Sequence, residues 1–400
     1  MSPLKILFIC NKSPWPAKEG GAMAMNNLIE GLIDAGNQVK VLAVDSDKYH
    51  VAPDDIPMAY RKNTGIEFVH LNLAVKPISA LLNLFSRQSY HMQRFISKAF
   101  EEKLVGILLK EKFNIVQMET LFMAPYLHIL RKHSKARIVL RAHNIEHLIW
   151  KRMFSISRNP VKKFYLHHLF TTLEDYEKGV LNNFDGILPI TEKDAGFFKS
   201  HCQKPVHAIP FGVNLEDYPF HDKQQQENAL FHIGAMNWMP NEKGIRWFLK
   251  EVWPIVRKKF PALKLYLAGR AMPRWLLKLN EKNVMVMGEV PDASDFILSK
   301  SISIVPLFSG SGVRIKIVES MCLGKAVIST KTGAEGIEYT DGESILLADT
   351  AEDFVSAITL LYENPEKAAN LGKNARKLME TKHDNRKIIG QLEAFYREIL

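Results

Sequence analysis

Short apolar runs alternating with amphipathic helical stretches predict an α/β protein made of two doubly wound, parallel-sheet domains. Runs such as 6–10 and 304–307 are apolar without alternation, as strands covered on both faces must be. Between such runs lie segments with apolar residues at three- and four-residue spacing, the pattern of helices that return over a sheet. The strand, glycine-bearing loop, helix, strand series that opens the chain then starts afresh at 229.

In order, 4–10 reads as the first strand, followed by a loop with two prolines that ends in Gly20-Gly21. A helix carries Met25, Leu28, Ile29, Leu32 and Ile33 on one face, and Gly36 stops it. Residues 38–44 form the next strand, 53–57 a proline-marked loop and 66–71 another strand. The 74–100 stretch mixes Ile78, Leu81, Leu82, Leu84 and Phe85 with Arg87, Arg94 and Lys98, which suits a lid or an interfacial helix. Helix 98–112, strand 114–118, helix 122–133 and strand 137–142 follow, with His143 at the carboxyl end of that strand, the edge where open α/β sheets bind ligands. Asn144 reads as the cap of a helix from Ile145, a turn that His143 could merely brace. His147, His167 and His168 read as surface or core residues, none spaced for zinc. Asn159-Pro160 breaks one helix and 161–182 forms the next. Strand 185–190, a helix over 192–200 capped by Thr191, and a last strand over 206–210 complete the half, and polar 221–228 is a linker.

The second half reads as strand 229–233, a small-residue loop from Gly234 through Asn237, and a helix opening at Pro240 or Asn241. Strands 263–267, 284–287 and 301–307 follow. After the last comes Ser309-Gly310-Ser311-Gly312, where small residues let backbone N–H groups approach a ligand. A helix expected from Val313 points its dipole at this loop. Arg314 and Lys316 in its first turn oppose that dipole, which a phosphate in front of the loop would explain and two solvated cations would not require. Glu319 lies further along, strand 326–330 follows, and three amphipathic helices end the chain.

Composition sets bounds. Four hundred residues, 46% hydrophobic and 24% charged, are those of a globular chain of two or more domains. Cys10, Cys202 and Cys322 show no metal spacing and suggest reduced thiols in a cytoplasmic protein. The initial apolar run is short for a signal peptide, and no run reaches the roughly 18 apolar residues of a membrane span. Net charge is +10, and 131–170 holds ten Lys/Arg against one acid, Glu146, with aromatics interleaved. That stretch reads as a solvated face, a nucleic-acid patch or an anionic-lipid surface, and no nucleic-acid motif accompanies it. The first loop does not spell Gly-x-Gly-x-x-Gly, so a dinucleotide cofactor is poorly supported. Asp45-Ser46-Asp47 reads as a polar strand end.

The 304–330 stretch, IVPLFSGSGVRIKIVESMCLGKAVIST, resembles the donor segment of family-4-like retaining glycosyltransferases (glycosyl transferases group 1) of GT-B fold. Their pattern is Glu, seven residues, Glu, then a glycine turn and strand. Glu319 matches the second Glu, and Ser311 stands where the first would be, as in a subgroup reading Ser-Gly-x-Arg-x-Lys-x-x-Glu. Gly234 to Phe248, Ala268 to Arg270 and the Pro210-Phe211-Gly212-Val213-Asn214 crossing resemble the family too, and the resemblance spans nearly the whole chain.

The resemblance implies two Rossmann-like domains facing a cleft: an acceptor domain over 1–210, a nucleotide-sugar domain over 211–383, and a terminal helix over 384–400 crossing back. It implies transfer of a sugar from a UDP- or GDP-sugar to an acceptor hydroxyl with retention, in cell-surface polysaccharide or glycolipid synthesis. Glu319 would hold the ribose; Arg314, Lys316, Lys243 and the Gly310-Ser311-Gly312 backbone the diphosphate; Gly234, Asn237 and Arg270 would also bind the donor. Gly20 and Gly21 would lie beside the acceptor, and a neutral His143 would donate to the reacting sugar. No metal or cofactor is expected. The expected partners are the nucleotide-sugar, a polysaccharide, glycan or lipid-linked acceptor and an anionic membrane surface on the cytoplasmic side, without nucleic acid. A nucleotide-sugar 2-epimerase or an inactive binding protein would share the architecture.

Overall fold

The computed structural model describes residues 2–17, 19–220, 226–310 and 312–400; Ser311 and most of the 221–228 linker therefore lie outside the described residues. The chain divides into two compact units, 1–212 with 385–400, and 213–384.

Unit 1 holds six parallel strands, β1 (Lys5–Cys10), β2 (Gln38–Asp45), β3 (Glu67–His70), β4 (Ile115–Glu119), β5 (Arg137–Ala142) and β6 (Gly186–Pro189). Their order is β3-β2-β1-β4-β5-β6. β4 is buried at every position and β1 at all but Lys5, because helices cover both faces of the sheet. On one face the Gly20–Asp34 helix and the C-terminal Asn385–Ile399 helix bring Met25, Leu28, Leu392 and Phe395 onto Phe8 and Val41. On the other, Phe100, Leu104, Leu130 and Leu173 pack against Leu7, Val116 and Leu140.

Unit 2 repeats the winding with β7 (Glu227–Ile233), β8 (Leu265–Ala268), β9 (Val284–Gly288), β10 (Lys300–Val305), β11 (Ala326–Ser329) and β12 (Leu346–Leu347). The order is β12-β11-β10-β7-β8-β9, again all parallel. In each unit the winding reverses between two neighbours, β1 and β4 or β7 and β10, the position at which open α/β sheets bind ligands beyond the strands' carboxyl ends.

Three local expectations need correction. Residues 206–210 do not form a strand: a single bridge joins Val206 to Ile187, and the segment runs beside β6 through bonds such as His207 N–H to Ile187 O. Pro205 and Pro210 deny it donors at both ends. The helix after β10 spans Ile315–Cys322, beginning two residues late, because Gly312 has φ +80° and Arg314, its N-cap, is extended. Asn144 is not the cap of the Glu146–Ile156 helix. Ile145 holds that position, and the Glu177 carboxylate accepts the Glu146 and His147 N–H groups at 3.0 and 3.1 Å.

Candidate functional site

Unit 2 gathers its polar groups at the β7–β10 reversal. His232, fully buried on β7, points Nδ1 at the Ile304 carbonyl, 2.8 Å away. A carbonyl only accepts, so Nδ1 carries the proton and Nε2 presents a lone pair. Burial first, and Lys316 second, hold this imidazole well below its usual pKa, which agrees with a neutral ring. Lys316 Nζ sits 3.2 Å from that Nε2 and 2.6 Å from Asn241 Oδ1. Asn241 is oriented by its own Nδ2–H bond to Ala235 O, 2.8 Å. Among the described residues these contacts use two of the ammonium's three donors. Burial, reinforced by Arg314 and opposed by Glu319, brings Lys316 down to about 7.

Glycine makes room for this arrangement. A Cβ on Gly234 would press on Lys316 Nζ and lie 2.8 Å from Asn241 Nδ2, so the loop after β7 reaches the lysine only as glycine. In the loop after β10, Gly310 has φ +114°, a region that favours glycine. A Cβ there would lie 2.8 Å from the Trp238 ring. Trp238, over which the Arg314 guanidinium lies 5.5 Å from the ring centroid, thus ties the two loops together. Arg314 is buried and donates to the carbonyls of Gly312 and Thr332, the second at 3.5 Å, so it shapes the loop as well as charging it. Glu319 accepts from the Tyr218 hydroxyl, and burial, opposed by Lys316 and that bond, pushes its carboxyl up to about 7.

The structure therefore brings together Gly234, Gly310, Gly312, Arg314 and Lys316, with Glu319 one turn along the helix from Lys316. It does not bring Lys243, Asn237 or Arg270 into the cluster. All three side chains are exposed, and Arg270 enters through its carbonyl, which accepts Met236 N–H at 2.9 Å. His232 and Trp238 carry no signal in the sequence that marks them for this site, and Asn241 reads there only as a helix opener.

Unit 1 has its own polar chain at the β1–β4 reversal. Strand register sets Cys10, Glu119 and Arg141 side by side. Glu119 is fully buried and takes Gln117 Nε2–H at 2.6 Å, while Gln117 Oε1 accepts from the Tyr396 hydroxyl. Its other oxygen lies 2.6 Å from His143 Nε2. A buried carboxylate there accepts, so a neutral His143 spends its one N–H on Glu119 and turns a lone pair, Nδ1, outward. Gly21 faces that nitrogen: a Cβ on it would lie 4.0 Å from His143 Nδ1 and 3.3 Å from Lys12 Nζ. In that tautomer the nitrogen left open accepts a hydrogen bond, where the resemblance implied one that donates. Gly20 and Gly21 open their helix behind Glu19, which pairs with Lys12 at 3.2 Å.

Residues 227–364, most of unit 2, match the family model described as Glycosyl transferases group 1. An uncharacterized 44.6 kDa protein in the cps region of Klebsiella pneumoniae is 24% identical over 401 residues, covering 97% of this chain and 98% of that protein. Among solved structures, sucrose-phosphate synthase from Thermosynechococcus elongatus superposes with TM-score 0.73 at 16% identity, over 99% of both chains. Anabaena HepE in complex with UDP gives 0.67 at 13% identity, over 99% of this chain and 100% of that one. The resemblance read in the 304–330 stretch is thus to the family whose model matches, and the two α/β domains have the GT-B fold of these neighbours.

Proposed function

We propose that this chain, whose second unit carries the Glycosyl transferases group 1 domain, transfers a sugar from a nucleotide-sugar donor to an acceptor hydroxyl with retention of configuration. The observation that carries this reading is Lys316. A partly buried ammonium, fixed by His232 and Asn241 at a helix N-terminus and beside a glycine loop, is suited to an incoming diphosphate. Arg314 and Lys316 would balance the negative charge that grows on the leaving diphosphate, and Glu319 would accept the ribose hydroxyls. A phosphate oxygen of the leaving group would take the acceptor's proton, leaving the protein to position and stabilise.

The donor is a UDP- or GDP-sugar of the hexose class. Support comes from HepE, solved with UDP and with UDP-glucose, though the likeness to it is one of fold. The Klebsiella relative's cps region supports a polysaccharide, glycan or lipid-linked acceptor in cell-surface polysaccharide synthesis, met at the cytoplasmic face of a membrane. In unit 1, His143 Nδ1 would accept a hydrogen bond from a sugar hydroxyl, with Glu119 holding the ring in place through Nε2. Two protein cations stand at the donor loop, so the transfer is proposed to need no metal.

The test is incubation of the full chain with a panel of UDP- and GDP-hexoses, with and without EDTA. Release of nucleoside diphosphate that survives EDTA supports the reading. Interconversion of nucleotide-sugars without release marks an isomerase, and an absence of turnover despite nucleotide binding marks an inactive binding protein. Restoration of an EDTA-abolished activity by magnesium overturns the charge balance proposed for the loop.

A further inference from the structure

We propose that unit 1 docks on an anionic lipid surface through the outer face of the Pro77–Asn83 helix and the adjoining tip of the helix pair Glu146–Ile156 and Pro160–Val180. The Pro77–Asn83 helix turns its larger apolar side chains outward. Ala80 and Asn83 face inward, where Ala80 joins Leu166 and Leu169 and Asn83 Oδ1 lies 3.1 Å from His168 Nε2. Outward stand Ile78, Leu81 and Leu82, with Phe85 just past the helix's C-cap, spaced i, i+3, i+4 and i+7 and from 61% to 89% exposed. That spacing is the stripe by which a helix buries an apolar face, here turned to solvent. On the neighbouring helix Val161, Phe164 and His168 share a face by the same spacing. Val161 and Phe164 are 78% and 69% exposed, and His168 links their stripe to Asn83.

Charge selects the occupant. Residues 71–97 and 147–173, which supply this face, contain eight Lys/Arg and no Asp or Glu. The nearest acids along the chain from the second segment are Glu146, Glu174 and Asp175. Glu146 is buried, Glu174 pairs with Lys178 at 2.6 Å, and Asp175 lines a groove with Arg87 and His168. A second copy meeting this face about a two-fold axis would set cations against cations. A nucleic acid would satisfy the cations and leave the aliphatic stripe in water. An anionic bilayer satisfies both, with hydrocarbon for the stripe and headgroups for the cations. No helix among the described residues is long and apolar enough to cross a membrane, so the contact lies at the surface. The surface differs from the one read in sequence: it adds 77–87 and drops Arg131, which is bound to Asp185 at 2.8 Å. It belongs to unit 1 and does not depend on the transfer reading.

The experiment is co-sedimentation of the full chain with phosphatidylcholine vesicles, with and without about 30% phosphatidylglycerol, at about 50 mM and about 0.5 M salt, where screening shortens roughly threefold. The anionic vesicles should bind at least about fivefold more protein, and high salt should release it. The double variant Phe85→Ser, Phe164→Ser should lower partitioning at least about tenfold. Arg87→Ser with Lys162→Ser should weaken binding to anionic vesicles alone. Both variants should keep the wild-type melting temperature and nucleoside diphosphate affinity, which separates a failed surface from a failed fold or donor site. The proposal is overturned if the wild type stays in the supernatant with anionic vesicles at low salt, or if the Phe variant binds undiminished. It is equally overturned by a dimer that the Phe variant dissolves, or by capture on a soluble polyanion in preference to vesicles.

Discussion

Nucleoside diphosphate affinity should peak near neutral pH, and each limb of the profile should belong to one residue. In the protein alone, burial and Arg314 bring Lys316 down to about 7, against the upward pull of Glu319. A diphosphate favours the ammonium, so affinity is full where Lys316 is already protonated, below about 7, and falls as pH rises above it. The protonated fraction of such a group drops about fifteenfold between pH 7 and pH 8.5, and affinity should follow. Glu319, raised by burial to about 7, gives the opposite sign. Ribose hydroxyls favour its carboxylate, so affinity falls as pH drops below about 7. Lys316→Met should flatten the alkaline limb and cost about 1.5–3 kcal/mol at pH 7, roughly 10–150-fold in Kd. Glu319→Gln should flatten the acid limb instead. Calorimetric titration with UDP and GDP from pH 6 to 8.5 measures both. Affinity that stays level across that range in the wild type refutes the reasoning.

Three further outcomes are expected. Gly234→Ala should push Lys316 off Asn241, weakening nucleoside diphosphate binding about tenfold or more while the fold persists, as calorimetry and far-UV dichroism would show. Glu119→Gln replaces the carboxylate that holds the His143 ring at Nε2 with an amide, so kcat should fall about tenfold with nucleoside diphosphate affinity unchanged, as steady-state rates and calorimetry would show. Glu146 is raised to about 8, first by burial and then by Glu177, so the folded state binds a proton that the unfolded chain has released. Wild-type stability should therefore fall as pH rises from the ordinary carboxylate range toward 8, and Glu146→Gln should flatten that slope in thermal melts.

The strands were legible because parallel sheets covered on both faces demand continuous apolar runs, and β1 and β10 read out directly. The glycine loops were legible from the residues that only such turns require. What escaped was set by register and distance. Nothing near His143 in the chain announces Glu119; the two meet because β4 and β5 are neighbours ending level. His232 reads as one more residue of a buried strand until Lys316 arrives 84 residues later. Asn144 has the chemistry of a cap, yet a carboxylate about thirty residues on, Glu177, takes the N–H groups that it was expected to satisfy. Residues 77–85 were ambiguous because their apolar stripe faces solvent while Ala80 and the polar Asn83 face inward, which inverts the periodicity that would assign a buried face.

The central claim is that the loops after β7 and β10 hold a donor diphosphate. A crystal structure of the full chain with UDP or GDP tests it most directly. The account predicts the diphosphate against the Gly310 and Gly312 backbone and the start of the Ile315–Cys322 helix, within hydrogen-bond reach of Lys316, and the ribose hydroxyls on Glu319. A nucleotide ordered elsewhere, such as at the Gly20-Gly21 loop, with Lys316 still bound only to His232 and Asn241, would contradict it.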